Sequence, residues 1–285
     1  MKFAYFPGCK ISFYAKDYGL SFEAVMETLG VELVRLDFNC CGSPARSKSF
    51  EVSILSSIKN YALARKHDLD IITPCKCCFG QFKHASYWYD QNKALKEKID
   101  AILARENLFW DGKTRIKHLL SFLYHDVGIH ELEKRIKRKL PEKKVVVQYG
   151  CHALRPFSIT GFDNPYAPKI FEELLNLTGF KTVEWSKRTE CCGNPIFDDN
   201  PKLSGKMLQN KIKTARDAGA DYICTACTHC QMQYHQMQSD QTQYGQIKYQ
   251  KNNPKTILFT QILGAALGIS RHRLSRTDKL PAAFM

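Results

Sequence analysis

Cys191-Cys192-Gly193-Asn194-Pro195 and Cys40-Cys41-Gly42-Ser43-Pro44 are two versions of one phrase. Adjacent cysteines cannot easily bridge each other, so a disulfide scaffold has little use for such a pair. As thiolate ligands to one polynuclear metal centre, followed by a permissive glycine, they make chemical sense. A lone cysteine precedes each doublet (Cys9, Cys151), and a Cys-x-x-Cys follows it (Cys75/Cys78, Cys227/Cys230). The intervening stretches are 30 residues for Cys9 to Cys40 and 39 for Cys151 to Cys191. From doublet to closing motif they are 33 residues for Cys41 to Cys75 and 34 for Cys192 to Cys227. The chain is an internal repeat, with Cys77 and Cys224 left over.

The cysteine groups all follow short apolar runs that read as strands. In the first copy these are Lys2–Phe6, Val31–Leu36 and Ile71–Thr73, separated by helices carrying Phe22, Val25, Met26 and Leu29, then Ile54, Ile58 and Tyr61. In the second they are Val145–Val147, Lys181–Trp185 and Tyr222–Ile223, with helix faces at Ile170, Leu174 and Leu177, then Leu203, Met207 and Ala215. Strand–helix alternation implies a mainly parallel sheet in each copy, with sites beyond the C-terminal ends of the strands. The expected fold is therefore α/β, in two pseudo-symmetric lobes, each a small sheet flanked by helices. Five thiols of each lobe then converge at one rim. The first lobe is expected over 1–144, including a charged helical extension from Tyr87 to about Arg138 and a basic connector. The second spans 145–285 and ends in a helix.

Composition fits a soluble globular protein: 285 residues, 44% hydrophobic and 25% charged. The N-terminus lacks signal-peptide form, and twelve clustered cysteines in such a chain point to cytoplasmic metal or redox chemistry. No window reaches the roughly 18 apolar residues of a membrane span. Ile257–Ile269 (ILFTQILGAALGI) is too short to cross and reads as a helix packed on the body or a partner. The alternative reading lays it in a membrane interface, at the inner face of the cytoplasmic membrane. The net charge of +14 does not mark a nucleic-acid binder. Its densest basic run, Lys134–Lys144, reads as a solvated helix end and linker, and thiolate clusters themselves call for cations.

Zinc competes with iron and sulfur for these thiols. Zinc takes four tetrahedral ligands, usually in two close pairs. Five thiols per lobe exceed that number, and adjacent residues fit a single tetrahedral ion poorly. A cluster presents several irons, so the balance favours iron–sulfur, with zinc open for one lobe. The ferredoxin spacing is absent, since no Cys-Pro follows Cys224-x-x-Cys227-x-x-Cys230.

Tyr5-Phe6-Pro7-Gly8-Cys9, Cys40-Cys41-Gly42 and Cys75-x-x-Cys78, repeated as Tyr149-Gly150-Cys151-His152, Cys191-Cys192-Gly193 and Cys227-x-x-Cys230, resemble the tandem cysteine-rich (CCG) domains of the HdrB family of heterodisulfide reductases. The resemblance covers nearly the whole chain. It implies a noncubane [4Fe-4S] cluster in each lobe. The implied ligands are Cys9, Cys40, Cys41, Cys75 and Cys78 in one lobe, and Cys151, Cys191, Cys192, Cys227 and Cys230 in the other. Cys77 and Cys224 are substitutes, Cys77 being able to replace Cys78, and are otherwise read as buried small residues. Where the family often has proline after the first closing cysteine, this chain has Lys76 and Thr228.

The resemblance also implies an oxidoreductase subunit fed by an iron–sulfur partner (HdrC-like) and a flavoprotein. Such a subunit reduces a disulfide held between paired clusters, without a protein nucleophile. Related subunits of E-type succinate dehydrogenases and fumarate reductases exchange electrons with a membrane quinone, which is the second functional class. A zinc-stabilised, non-redox interaction subunit is the third. His152 and His229 are candidate proton donors, set against the plainer reading as loop residues. Lys10, Lys76 and Arg155 either balance cluster charge or are solvated. Phe82, Tyr87, Trp88 and Tyr89 read as core rather than a quinone platform.

Overall fold

The computed structural model describes residues 1–239, 252–276 and 280; the last five residues of the second lobe, 281–285, lie outside the described residues. Two four-stranded sheets, every strand pair parallel, have the same order. The first runs β2-β1-β3-β4, with β1 Lys2–Tyr5, β2 Glu32–Arg35, β3 Ile71–Thr73 and β4 Ile116–His118. The second runs β6-β5-β7-β8, with β5 Lys144–Gln148, β6 Lys181–Thr182, β7 Tyr222–Thr225 and β8 Lys255–Leu258. The central strands are apolar on both faces: Ala4, Tyr5, Ile71, Ile72, Val145, Val146 and Ile223 are buried. A parallel sheet covered by helices on both sides demands such continuous runs.

Two strands depart from the sequence expectation. β4 interrupts the region read as continuous helix, between helix Lys93–Ala104 and the buried turn at Leu119 and Leu120. Three residues carry too little periodicity to be distinguished from their charged flanks. Ile257–Ile269 is likewise not one helix. Its first two residues close β8, and the helix begins at Phe259. A short apolar run cannot be assigned by periodicity when strand and helix are both buried. The stretch packs on the body of the protein, with Phe259, Ile262, Leu263 and Ala266 fully buried, so it offers no apolar face to a membrane. No described helix is long and apolar enough to cross one.

The lobes exchange helices. Helix Lys16–Thr28, which follows β1, packs on helix Phe259–Ala266, which follows β8, and Ser21 Oγ lies 2.6 Å from Thr260 Oγ1. Helix Ile170–Asn176, which follows β5, packs on the residues after β4, where Tyr124 donates to Glu173 at 2.7 Å. One apolar core runs through both lobes, from Phe3 to Leu274.

His118 pins the two rims together. Its Nε2 lies 3.1 Å from the carbonyl of Pro74 and 3.2 Å from that of Ala226, while Nδ1 accepts from the Leu120 N–H at 3.1 Å. These partners require the neutral ring protonated on Nε2. Burial pulls its pKa down to about 3, helped by the Lys76 charge. Because the folded value lies below the ordinary His value of about 6.5, the unfolded chain binds the extra proton. Stability is therefore full above about pH 6.5 and declines as pH falls toward 3. Replacing His118 with alanine should lower urea-unfolding stability by about 1–3 kcal/mol, because both carbonyls lose their donor. It should also flatten the decline between pH 6 and 4.

Candidate metal centre

Each strand end delivers one thiol group to a shared rim. Cys9 follows β1, the Cys40-Cys41 doublet follows β2, and Cys75 follows β3; Cys151, Cys191-Cys192 and Cys227 repeat the plan after β5, β6 and β7. Each doublet is followed by a left-handed glycine, Gly42 at φ 89° and Gly193 at φ 87°, which turns the chain so that both thiols face the rim. A side chain there would also collide: a Cβ on Gly42 would lie 2.3 Å from the Ser53 carbonyl, and one on Gly193 3.0 Å from that of Ser204. Beneath the doublets, Ser57 donates to the Cys41 carbonyl at 2.6 Å and Ser204 to the Gly193 carbonyl at 2.9 Å.

The thiols form two strings. Cys9, Cys40, Cys41, Cys78 and Cys75 are successive neighbours close enough to shift one another's acidity, and so are Cys151, Cys191, Cys192, Cys230 and Cys227. The strings meet at Cys75 and Cys227, whose Sγ atoms lie within 4.8 Å of each other. Both sets of five expected residues are thus brought together, each set within its own lobe. The two strings differ in exposure: Cys9 and Cys40 are open to solvent, whereas Cys151 and Cys191 are half-buried.

Acidity along the strings follows the contacts. Cys40 is pulled down to about 2 because its thiolate accepts from Cys41 and Cys9, and Cys191 falls to about 2 between Cys151 and Cys192. The Gly193 N–H adds a bond to Cys191 Sγ at 3.3 Å. Cys192 moves the other way, to about 12, because it donates to Cys191. Cys227, facing Cys230, settles at about 7. Such packed thiols share protons that a metal would displace.

The leftover residues separate. Cys224 is an ordinary buried side chain within β7, away from the rim contacts. Cys77, expected to be a buried small residue, instead sits half-exposed at the junction, with Sγ 3.8 Å from Cys227 Sγ and 3.1 Å from His152 Nδ1. His229 occupies the position equivalent to Cys77 in the second closing motif. Burial lowers its pKa, but the bond to Cys75 and the Cys227 charge outweigh burial and hold it above the ordinary value. His152 goes the other way, lowered by burial. Both histidines line the cleft at the rim.

Lys76 is buried rather than solvated, 1% exposed. It crosses from the first closing motif into the second lobe, donating to the Gln148 carbonyl at 3.3 Å beneath the rings of Tyr149 and Phe171. Burial lowers its pKa to about 8 against the pull of the Cys227, Cys230 and Cys224 thiols. Lys211, which sequence reasoning missed, is equally buried, over Trp185 and donating to the Lys187 and Glu190 carbonyls. Arg155 stays at the surface on the Thr189 carbonyl. The aromatic group is split: Phe82 and Tyr89 are core, while Tyr87 and Trp88 are over a third exposed.

A narrow cleft of about 20 Å³ lies over the second string, lined by its five thiols with Cys77, His152, His229 and Lys76. A donor set made almost wholly of thiols, with no carboxylate in the strings, fits iron and sulfur. A simpler trio of Cys75, Cys227 and His229 has ligand atoms within 4.8 Å of one another. It draws one thiol from each string, so a single ion there would break both five-thiol sets.

A cysteine-rich (CCG) domain model matches residues 3–83 and 145–235, and the chain belongs to that family. It is 32% identical to the 8-methylmenaquinol:fumarate reductase membrane anchor subunit of Wolinella succinogenes, over 96% of this chain and 94% of that one. It is 28% identical to an HdrB-like heterodisulfide reductase protein of Archaeoglobus profundus, over 96% of this chain and 93% of that one. A crystal structure of a hypothetical protein from Helicobacter pylori shares the fold, with TM-score 0.72 at 14% identity over 96% of this chain; this chain covers 50% of that one. Within the CCG family the chain is an HdrB-like protein, and its donor set is that of an iron–sulfur oxidoreductase subunit.

Replacing Gly42 with alanine should lower bound iron by about half, with a smaller loss for Gly193→Ala, where the Cβ meets the carbonyl at the longer distance. Iron and sulfide counting on anaerobic protein checks the order.

Proposed function

We propose that this chain is the cluster-bearing subunit of a multi-subunit oxidoreductase and reduces a disulfide at the junction of its two thiol strings. Each string would hold one noncubane [4Fe-4S] cluster, on Cys9, Cys40, Cys41, Cys75 and Cys78, and on Cys151, Cys191, Cys192, Cys227 and Cys230. The single observation that carries the reading is the approach of two five-thiol groups, with Cys75 and Cys227 Sγ within 4.8 Å of each other. Bound there, the clusters supply electrons one at a time and stabilise thiolate products. The protein's own part is to bring the two sets together at Cys75 and Cys227 and to provide protons. His152 faces the cleft beside Cys77, and His229 faces it beside Cys75, so both are candidate proton donors. Electrons would arrive through an iron–sulfur subunit and a flavoprotein of the complex.

A second reading has one observation in its favour, the match along nearly the whole chain to a fumarate reductase membrane anchor subunit. On that reading the same clusters exchange electrons with a quinone. The buried Ile257–Ile269 stretch gives it no membrane-facing element.

Replacing Cys192 with alanine should lower iron by about half and abolish disulfide reduction by the complex, as read by anaerobic EPR and assay with a reduced dye. Full activity with one cluster lost would sink the two-cluster reading. Turnover of a quinol, with no disulfide reduction in wild type, would favour the second reading.

A further inference from the structure

The two thiol strings sit in lobes of the same plan, yet their buried charges differ. Alignment on the repeated motifs makes the difference residue-specific. Gly42 corresponds to Gly193, Ser53 to Ser204, and therefore Asn60 to Lys211. Cys75 corresponds to Cys227, and therefore Lys76 to Thr228. Both lysines are buried on the side of the second string: Lys211 donates to the carbonyl of Glu190, next to Cys191, and Lys76 crosses the junction to the Gln148 carbonyl and lines the cleft with Cys227 and Cys230. The two equivalent positions, Asn60 and Thr228, are neutral. Asn60 donates to the Asn39 and Cys40 carbonyls, and the buried Thr228 hydroxyl has no partner.

Neighbouring carboxylates do not cancel the lysines. Glu172, near Lys76, is paired with Arg188 at 2.9 Å, and the Glu190 side chain is paired with Lys187 at 2.6 Å. Lys10 lies near the first string, but it is half in solvent and stacked over the exposed Tyr14, so its field is screened. Buried cations are costly unless something anionic compensates them. Here the compensating groups are the thiolates of one string. Adding an electron to a cluster makes it more negative, so a fixed buried cation favours its reduced form, and solvent exposure is a further lever on potential.

We infer that Lys76 and Lys211 are potential-setting residues that make the second centre the more oxidising of the two, so that electrons entering at the solvent-exposed Cys9–Cys40 edge run toward the cleft over the second string. This rests on the proposal above that each string holds a cluster.

The test is an EPR-monitored redox titration of the anaerobically purified complex carrying the full chain, with iron counted in every sample. Wild type should show two midpoints. Lys211→Gln and Lys76→Met should each lower the higher midpoint by at least 59 mV, a tenfold change in a one-electron equilibrium, and leave the lower one in place with iron unchanged. Lys211→Arg, which keeps the charge, should restore the wild-type value. The inference is overturned if neither midpoint moves, if both move together, or if Lys211→Arg behaves like Lys211→Gln. Should Lys211→Gln fail to fold, Asn60→Lys gives an independent measurement. It should raise the lower midpoint, and an unchanged lower midpoint overturns the inference. Wild-type protein with fewer than two clusters would instead remove the reading on which this one rests.

Discussion

The contact between Cys75 and Cys227 is the constraint from which the architecture follows. Two thiols from different lobes can touch only if the C-terminal ends of both sheets point at each other. That in turn requires the helices behind each sheet to leave the rim free. The exchanged helices meet the requirement, because Lys16–Thr28 and Ile170–Asn176 cover the flanks and the loops keep the centre. His118 holds the same geometry from below, since its one N–H lies between the carbonyls of residues that immediately precede Cys75 and Cys227. A shift of one lobe would break that shared bond and separate the thiols together.

Much of this was legible in the cysteines alone. Their grouping gave the repeat, and their position after apolar runs gave the parallel sheets and the common rim. What escaped was decided by contacts distant in sequence. β4 and β8 are short edge strands whose identity comes from register against β3 and β7, not from their own pattern. Lys211 sits on a helix with other lysines, and nothing in its neighbours marks it as the one turned inward. Lys76 was visible as a departure from the usual proline, but its burial depends on Gln148, Tyr149 and Phe171 in the other lobe. Cys77 and His229 share one position of the repeat, and only the facing of the two rims gives each a partner across the junction.

The repeat also shows how a duplicated scaffold becomes two unlike environments. The backbone devices are kept in both copies: the left-handed glycine after each doublet, the capping Ser49 and Asn200, and the glutamines Gln81 and Gln233 beneath the loops. The side chains that set charge and access have diverged. Asn60 against Lys211, Lys10 against His152 and Cys77 against His229 change the charge and chemistry around motifs that are otherwise repeated.

The exchange of helices has a consequence for how the protein is made. Ser21 finds its partner Thr260 only after 239 further residues of chain. Until then the side of helix Lys16–Thr28 that carries Ser21 has nothing from the last helix to cover it. The first lobe leaves the ribosome as an unfinished domain, and contacts of such long sequence separation form late and slowly. The junction between Cys75 and Cys227 therefore forms only once both halves are present to close on each other.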